Sequence, residues 1–152
     1  MPIHAEDLPT EILLNAYVAR NGEVAWISSE LPRVFQGLLR LGLAVTSAEL
    51  WFISRKRLYP RVPILRDRFG QRSWVFHYWE MRRRNPNEPW TDFVKASIDY
   101  AEQMVEEIEE KINPTPDLEG SVYYNLLIQN EAEYEDSRKE RDDIEGRRQS
   151  GS

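Results

Sequence analysis

The sequence contains two strand-like segments, Ala44-Val-Thr-Ser-Ala-Glu-Leu-Trp-Phe-Ile53 and Ser73-Trp-Val-Phe-His-Tyr-Trp-Glu-Met81. Both are rich in the β-branched and aromatic residues that favour strands. In the second segment, side chains that alternate with a period of two are bulky on both faces, which predicts a central strand. Residues 58–65 lie between these two segments and contain two prolines, which limit them to an edge strand or an extended loop. Residues 89–112 then follow the helical period. Together these patterns predict an α+β fold with a small antiparallel three-stranded sheet packed by helices.

Two more helices are predicted before the strands. Residues 10–21 carry an apolar stripe at helical spacing, and Gly22 follows the stripe. A second stripe covers residues 29–41 and is followed by Gly42. Glycine is common just past a helix end because it adopts the left-handed conformation without strain. Both helices are therefore expected to pack on the sheet.

The segment after the long helix has two interpretations. Residues 122–128 favour a strand by composition, and they also fit the start of a helix that continues toward Ile144. We favour the helix. The chain then divides into one α+β domain, residues 8–112, and a charged C-terminal extension, residues 113–152. The extension is expected to be helical in part and flexible from Gly146 onward.

Composition limits the classes of protein that remain. The chain has 152 residues, which is the size of one domain, and no cysteine, which excludes disulfides and thiolate metal sites. It has neither a run of about 18 apolar residues nor a secretory leader, so we expect a cytoplasmic protein without membrane contact. His4 and His77 are the two histidines. No metal site and no cofactor are predicted.

Charge is segregated along the sequence. Residues 1–54 carry a net charge of −3, residues 55–84 carry 10 basic against 2 acidic side chains, or +8, and residues 85–152 carry −11. An acidic chain with one basic block has two interpretations. Either the acidic segments lie over the basic block and neutralise it, or the block forms a local binding patch.

The basic block supports one alternative function. Its arginines are interleaved with aromatic residues, and nucleic-acid-binding surfaces combine cations for the phosphates with rings that stack on bases. On this interpretation the chain is a nucleic-acid-binding module. The residues assigned to that role are Arg55, Lys56, Arg57, Arg82, Arg83 and Arg84.

His77 supports a second alternative, a small enzyme centred on this side chain and Glu49. A histidine on a strand can act as a general base. No serine, cysteine or carboxylate stands in a recognisable nucleophile motif with it, and no phosphate-binding loop occurs. We therefore predict that the protein is not an enzyme.

The acidic side of the helix at 89–112 favours a protein partner. Several carboxylates lie toward its C-terminus, where each opposes the helix dipole by about 0.3–1 kcal/mol at low salt. We therefore expect a cation near them, supplied by Lys111, by the arginine block or by a partner. A basic partner protein gains association rate and specificity from such charges.

A resemblance to one family supports this interpretation. Gly42 precedes Leu43-Ala-Val45, the run Ser47-Ala48-Glu49-Leu50-Trp51 follows, Trp74 or Trp79 supplies a strand tryptophan, and the helix carries Phe93-Val94-Lys-Ala-Ser97-Ile-Asp-Tyr-Ala101. Over residues 34–105 this order resembles immunity protein family forty of bacterial polymorphic toxin systems. The family has a glycine pair where this chain has Ser47-Ala48. The resemblance implies stoichiometric neutralisation of a cognate toxin.

The sequence therefore predicts a non-enzymatic immunity protein with a basic toxin as its partner. Its oligomeric state is left open. The residues predicted to contact the partner are Glu49, Trp51, Glu102, Glu106 and Glu109.

Overall fold

A computed structural model describes residues 7–65, 72–112 and 120–150. The helices are α1 (Thr10–Leu13), α2 (Leu31–Leu41), α3 (Trp90–Lys111) and α4 (Glu131–Ser150). The strands are β1 (Tyr17–Val18), β2 (Val24–Ile27), β3 (Ala44–Ser54), β4 (Arg57–Tyr59), β5 (Val62–Leu65), β6 (Arg72–Val75), β7 (Tyr78–Glu80) and β8 (Ser121–Gln129). The predicted α+β class is confirmed. Two segments with sequence signals of their own, Asp67-Arg-Phe-Gly70, which predicts a turn, and Asn113-Pro-Thr-Pro116, which predicts a helix break, lie outside the described residues.

The main sheet is larger than predicted. It has six antiparallel strands in the order β1-β2-β8-β3-β4, and β7 also pairs with β3. Strands β5 and β6 form a separate hairpin. The predicted count of three strands is wrong because β1, β2 and β8 come from segments outside the stretch on which that prediction was based.

Strand β8 lies between β2 and β3 in the sheet. Its buried side chains alternate at Tyr124, Leu126 and Ile128, which is the period of a strand. The helix predicted from residue 122 is therefore wrong as far as Gln129, whereas α4 begins at Glu131 and continues to Ser150. A segment assigned from the sequence to a C-terminal extension thus supplies a central strand.

The predicted helix at 10–21 ends after one turn. Asn15 has a positive φ of 60°, a backbone conformation that no α-helix contains. The chain then enters β1, and Gly22, with φ of 86°, lies in the turn to β2 rather than at a helix end. Trp26 of β2 is buried and its Nε1 donates to the Ile12 carbonyl at 2.9 Å. Pairing with β8 and burial of this indole favour the strand.

The single central strand predicted at 73–81 is also wrong. Its first part, β6, pairs with β5, and its second part, β7, pairs with β3. Residues 76 and 77 separate the two strands. Only Trp79 in β7 is buried.

The remaining two helices agree with the sequence. Gly42 ends α2 with a φ of 70°, and its N–H donates to the Leu39 carbonyl at 3.2 Å. The next amide, Leu43 N–H, donates to Leu38 O at 2.9 Å, which completes a glycine-based helix cap. A polar bond fixes α3 on the sheet: Ser97 Oγ accepts from Val45 N–H at 3.1 Å.

The hydrophobic core lies between α2, α3 and one face of the main sheet. The sheet contributes two cross-strand rows of side chains, Trp26, Tyr124 and Leu50 in one and Leu126, Ala48 and Trp79 in the other. The helices contribute apolar side chains of the same cluster, among them Leu38, Phe93, Ile98 and Ile108. Side chains alternate along a strand, so the intervening residues face the opposite side. We call that opposite side the outer face.

Helix α4 is anchored near its N-terminus by the segment before α3. The Tyr134 ring lies 5.0 Å from Phe93 and 5.7 Å from Trp90, and its hydroxyl accepts from Arg84 N–H at 2.8 Å. Arg84 also pairs with Glu131 at 2.7 Å and Glu135 at 3.0 Å. From residue 139 to 148 every side chain of α4 is exposed. The packed contacts of α4 therefore lie in its first two turns, and an exposed ion pair from Arg83 to Asp142 adds to them farther along the helix.

Glu88 should make folding sensitive to acid. Hydrogen bonds from Arg82, and then from the backbone of Asn85, lower the pKa of the Glu88 carboxyl from 4.5 to about 2. A lowered pKa in the folded state means that the unfolded chain binds more protons between these two values. The stabilising effect is therefore complete above pH 4.5 and is lost as the pH falls toward 2. Glu88→Gln should flatten the decline of the unfolding free energy in this range, as measured by urea titration.

Glu140→Gln is the matched control, because it removes an exposed carboxylate of α4 for which no hydrogen bond or ion pair is described. It should leave the acid dependence close to that of the wild type. An unchanged slope in Glu88→Gln would show that the Arg82–Glu88 contact does not couple protonation to folding.

Candidate functional site

The outer face carries a row of five directly opposed residues across five strands. In order these are Tyr17, Ala25, Asn125, Glu49 and Tyr78. Because directly opposed residues in antiparallel strands point to the same face, Glu49 lies near the centre of this surface. The Asn125 amide donates to the Val24 carbonyl at 2.9 Å and so is held within the sheet.

Two parallel rows flank this one. Ile27, Tyr123 and Trp51 form the first, and Leu127, Ser47 and Glu80 form the second. Within the first row Trp51 is only 4% exposed. Tyr17 packs edge-on against Trp51, with ring centroids 6.4 Å apart. The predicted contact residue Trp51 is therefore mostly covered, and its ring packs beneath Tyr17.

A groove of about 550 Å³ opens beside Glu49, toward strand β7. Phe76 and Tyr78 form one wall, with side chains 54% and 58% exposed and ring centroids 5.5 Å apart. The groove is also lined by Glu23, Glu49 and Glu80. The described residues form no ion pair with Glu49 or Glu80. Aromatic rings and unpaired carboxylates thus share one concave surface, which we call the acidic groove.

Sequence reasoning identified Glu49 but did not assign Phe76, Tyr78 or Glu80 to a partner surface. Alternation along residues 73–81 already places these three on one side of the chain. The missing information was the pairing of β7 with β3, which sets Tyr78 directly opposite Glu49 and Glu80 opposite Ser47.

The acidic residues of α3 lie elsewhere. Glu102 and Glu106 are exposed, and Glu109 is half-buried on a helix that packs against the inner face of the sheet. Burial, and then the nearby Glu109 charge, raise the pKa of the Tyr124 hydroxyl. None of the large exposed hydrophobic side chains lies on α3. The structure therefore does not bring the predicted residues into one contact surface, because Glu49 and Trp51 belong to the opposite side of the sheet.

The basic block is divided as well. Arg82 binds both carboxylate oxygens of Glu88, at 2.9 and 2.8 Å, and Arg83 pairs with Asp142 at 3.1 Å. Arg84 is held by α4, as described above. These contacts join residues 82–84 to carboxylates that follow them in the sequence. We call Arg82, Arg83 and Arg84 the arginine clamp. The cation that was expected near the α3 carboxylates is not among the ion pairs of the described residues.

Arg55, Lys56 and Arg57 form the other part of the basic block, at the β3–β4 hairpin. Ser54 pairs directly with Arg57, so Arg55 and Lys56 are the two turn residues. Both have positive φ, 49° and 65°, as a two-residue turn of this hand requires. The hairpin thus projects basic side chains at the end of the sheet, far along the chain from the clamp.

His77 has no catalytic neighbour among its described contacts. Its Nδ1 makes no hydrogen bond with a described residue, and its backbone carbonyl accepts from Leu50 N–H at 3.0 Å. Burial, and then the charge of Lys111, lower the pKa of the imidazole. These surroundings favour a neutral imidazole ring.

Two further features concern the described part of the chain. There, no three histidine or carboxylate side chains are close enough to hold a metal ion. No described helix combines the length and apolar character needed to cross a lipid bilayer.

Comparison with known proteins finds no match, since no family model, no curated protein and no solved structure is significantly similar to this chain. The chemistry of the acidic groove therefore carries the functional proposal.

Proposed function

We propose that this protein is a non-enzymatic binding protein that neutralises a basic toxin by stoichiometric binding, as an immunity protein. The observation that carries the proposal is the acidic groove, where exposed Phe76 and Tyr78 adjoin Glu49 and Glu80, two carboxylates that have no ion pair with any described residue. Such a surface suits a lysine or arginine side chain of a partner.

The groove supplies both parts of a strong contact for a cation. A carboxylate in a concave, partly dehydrated site attracts a positive charge more strongly than one in open water. An ammonium or guanidinium group over a tyrosine or phenylalanine ring gains about 0.5–2 kcal/mol more. Exposed aromatic rings are also typical of the few residues that dominate binding energy at protein interfaces.

The carboxylates of α3 have a different part in the proposal. Glu102 and Glu106 are exposed and lack neighbouring apolar anchors, so they contribute at long range. Rim charges of this kind alter the association rate and its salt dependence more than the lifetime of a complex. These charges speed the approach of a basic partner to this protein, and contacts in the acidic groove then hold the partner in the complex.

The resemblance to immunity protein family forty, noted in the sequence, is a second support for the proposal. Its helix signature, Phe93, Val94, Ser97 and Ala101, is buried against the sheet. These residues hold α3 in place and leave the outer face free for a partner.

The proposal predicts an unequal effect of two matched double variants. Glu49→Gln/Glu80→Gln and Glu102→Gln/Glu106→Gln each remove two negative charges with little change in side-chain shape. The first should weaken the partner complex by about ten-fold or more, since it leaves partner cations buried without counter-charges. The second should mainly slow association at low salt. The partner is captured from the native host with tagged wild-type protein, and both rates are then measured by surface plasmon resonance.

Neutralisation is tested by titrating the captured partner's toxic activity with wild-type protein, which should abolish it at one equivalent. A captured partner whose activity continues when saturated would contradict the immunity function. Equal affinity of wild type and the Glu49/Glu80 variant would show that the acidic groove is not the contact surface. Circular dichroism of both variants checks that the fold is intact.

A further inference from the structure

A second pocket lies at the β3–β4 hairpin, on the helix side of the sheet. It has a volume of about 500 Å³ and is lined largely by apolar and aromatic atoms. The lining residues are Phe52, Ser54, Tyr59, Pro60, Arg61 and Trp74. Phe52 belongs to the same alternating set as buried Leu50, which places this pocket on the opposite side of the sheet from the acidic groove.

Three rings form the pocket. Phe52 is buried at its floor, and the Trp74 ring meets it edge-on at 5.2 Å. Tyr59, directly opposite Phe52 in the sheet, lies 6.4 Å from it. Trp74 and Tyr59 remain 45% and 44% exposed. Two rings held by a buried third therefore stay partly open to solvent, where they can act as stacking platforms for a planar group.

Three cations lie at this hairpin. Arg57 lies opposite Ser54, a lining residue, and therefore points to the pocket side of the hairpin. Arg61 lines the pocket itself, and Lys56 is exposed at the turn. Within the described part of the chain none of the three has an ion pair, in contrast to Arg82, Arg83 and Arg84. The clamp arginines are neutralised, whereas the cations at the pocket are available.

We propose that this hairpin pocket binds single-stranded nucleic acid. One base stacks on Trp74 or Tyr59, and the flanking phosphates meet Arg57, Arg61 and Lys56. Anionic charge and a flat aromatic group occur together in a nucleotide, and this pocket offers a matching element for each. An acidic peptide would use the cations but would leave the two exposed rings without a specific role.

Binding is tested with fluorescein-labelled oligothymidylate and oligouridylate of about ten nucleotides, a length that one single-strand-binding domain covers. Fluorescence anisotropy should show binding that weakens as salt rises. Trp74→Ala should weaken it roughly 5- to 100-fold, the effect of losing one stacked base. Arg57→Gln/Arg61→Gln should reduce the salt slope by about 1.4, since each lost phosphate contact contributes about 0.7 for a single strand.

Tryptophan fluorescence gives a second readout. Of the five tryptophans, Trp74 is the only exposed one. Oligonucleotide should quench its emission, and Trp74→Phe should lose the quenching while it retains binding through its remaining ring. Lys95→Gln is the matched control, an exposed cation away from the pocket, and should bind as the wild type does.

Two results would overturn the proposal. One is no detectable anisotropy change at low salt. The other is equal affinity for polyglutamate, with no loss in Trp74→Ala, which would indicate a cationic patch without base recognition. Neither result bears on the acidic groove, because its residues are not altered in the pocket variants.

Discussion

Phe93→Ala should lower the free energy of unfolding by about 3–5 kcal/mol, the usual cost of removing a buried aromatic side chain. Phe93 is fully buried. Its ring lies 5.5 Å from Trp90 and 5.0 Å from Tyr134, and the Arg82 guanidinium is 5.8 Å from its centroid. One side chain therefore joins α3, α4 and the arginine clamp. Urea unfolding followed by circular dichroism measures the change.

Phe76→Ala is the matched control, since it removes the same ring from an exposed position. Surface substitutions of this kind usually change stability by no more than about 0.5 kcal/mol. The Phe76 variant should therefore unfold like the wild type, although it should bind the proposed partner less well. Similar losses of stability in both variants would contradict the packing of Phe93 between the two helices.

Ser97→Ala should lower the free energy of unfolding by about 1–3 kcal/mol, the cost of leaving a buried polar group unsatisfied. The Ser97 hydroxyl is buried, accepts from Val45 N–H at 3.1 Å and donates to the Val94 carbonyl at 2.8 Å. The β3–β8 register shifts between Val45 and Ser47. The Ser97 hydroxyl is the hydrogen-bond acceptor for the Val45 amide at this bulge. Hydrogen exchange at the Val45 amide should accelerate, which adds a site-specific measurement.

Ser29→Ala provides the comparison, because Ser29 is exposed in the short 3-10 turn before α2. It should cost little. Equal stability of Ser97→Ala and wild type would mean that water or backbone movement satisfies the Val45 amide. The α3–β3 contact would then depend on apolar packing alone.

Ser97 also gives a physical reason for the helix signature noted in the sequence. The serine satisfies a strand amide at a bulge, and Ala101, fully buried one turn later, lets the helix lie close to the sheet. Both requirements belong to helix–sheet packing. Helix–sheet packing alone therefore accounts for these positions, and they do not by themselves indicate a partner.

Segregated charge along the sequence has two structural outcomes. The last three arginines of the basic block pair with carboxylates of the acidic C-terminal half, and two of them, Arg83 and Arg84, fasten α4. The hairpin cations Lys56, Arg57 and Arg61 are not part of that clamp. Neutralisation by the acidic segments thus holds for the last three arginines, whereas a binding patch at the hairpin cations stays a prediction.

Part of the candidate site was predictable. Glu49 was identified from the sequence and lies at the centre of the outer face. Its neighbours Tyr78 and Glu80 were not assigned, because nothing in the sequence around residue 78 specifies that β7 pairs with β3. The predicted group Glu102, Glu106 and Glu109 lies on the other side of the molecule, because strand alternation directs Glu49 away from α3.

The sequence by itself determined the α+β class, the helices α2 and α3, and the strand character of β3. Their signals are local: a repeat of 3.6 residues, a glycine cap at Gly42 and a run of β-branched and aromatic residues. Only the tertiary structure decided that β8 is a central strand, that residues 73–81 divide between two sheets and that the first helix ends at Leu13. A strand is stabilised by hydrogen bonds to partners distant in sequence, and these partners outweigh the helix propensity of a short segment.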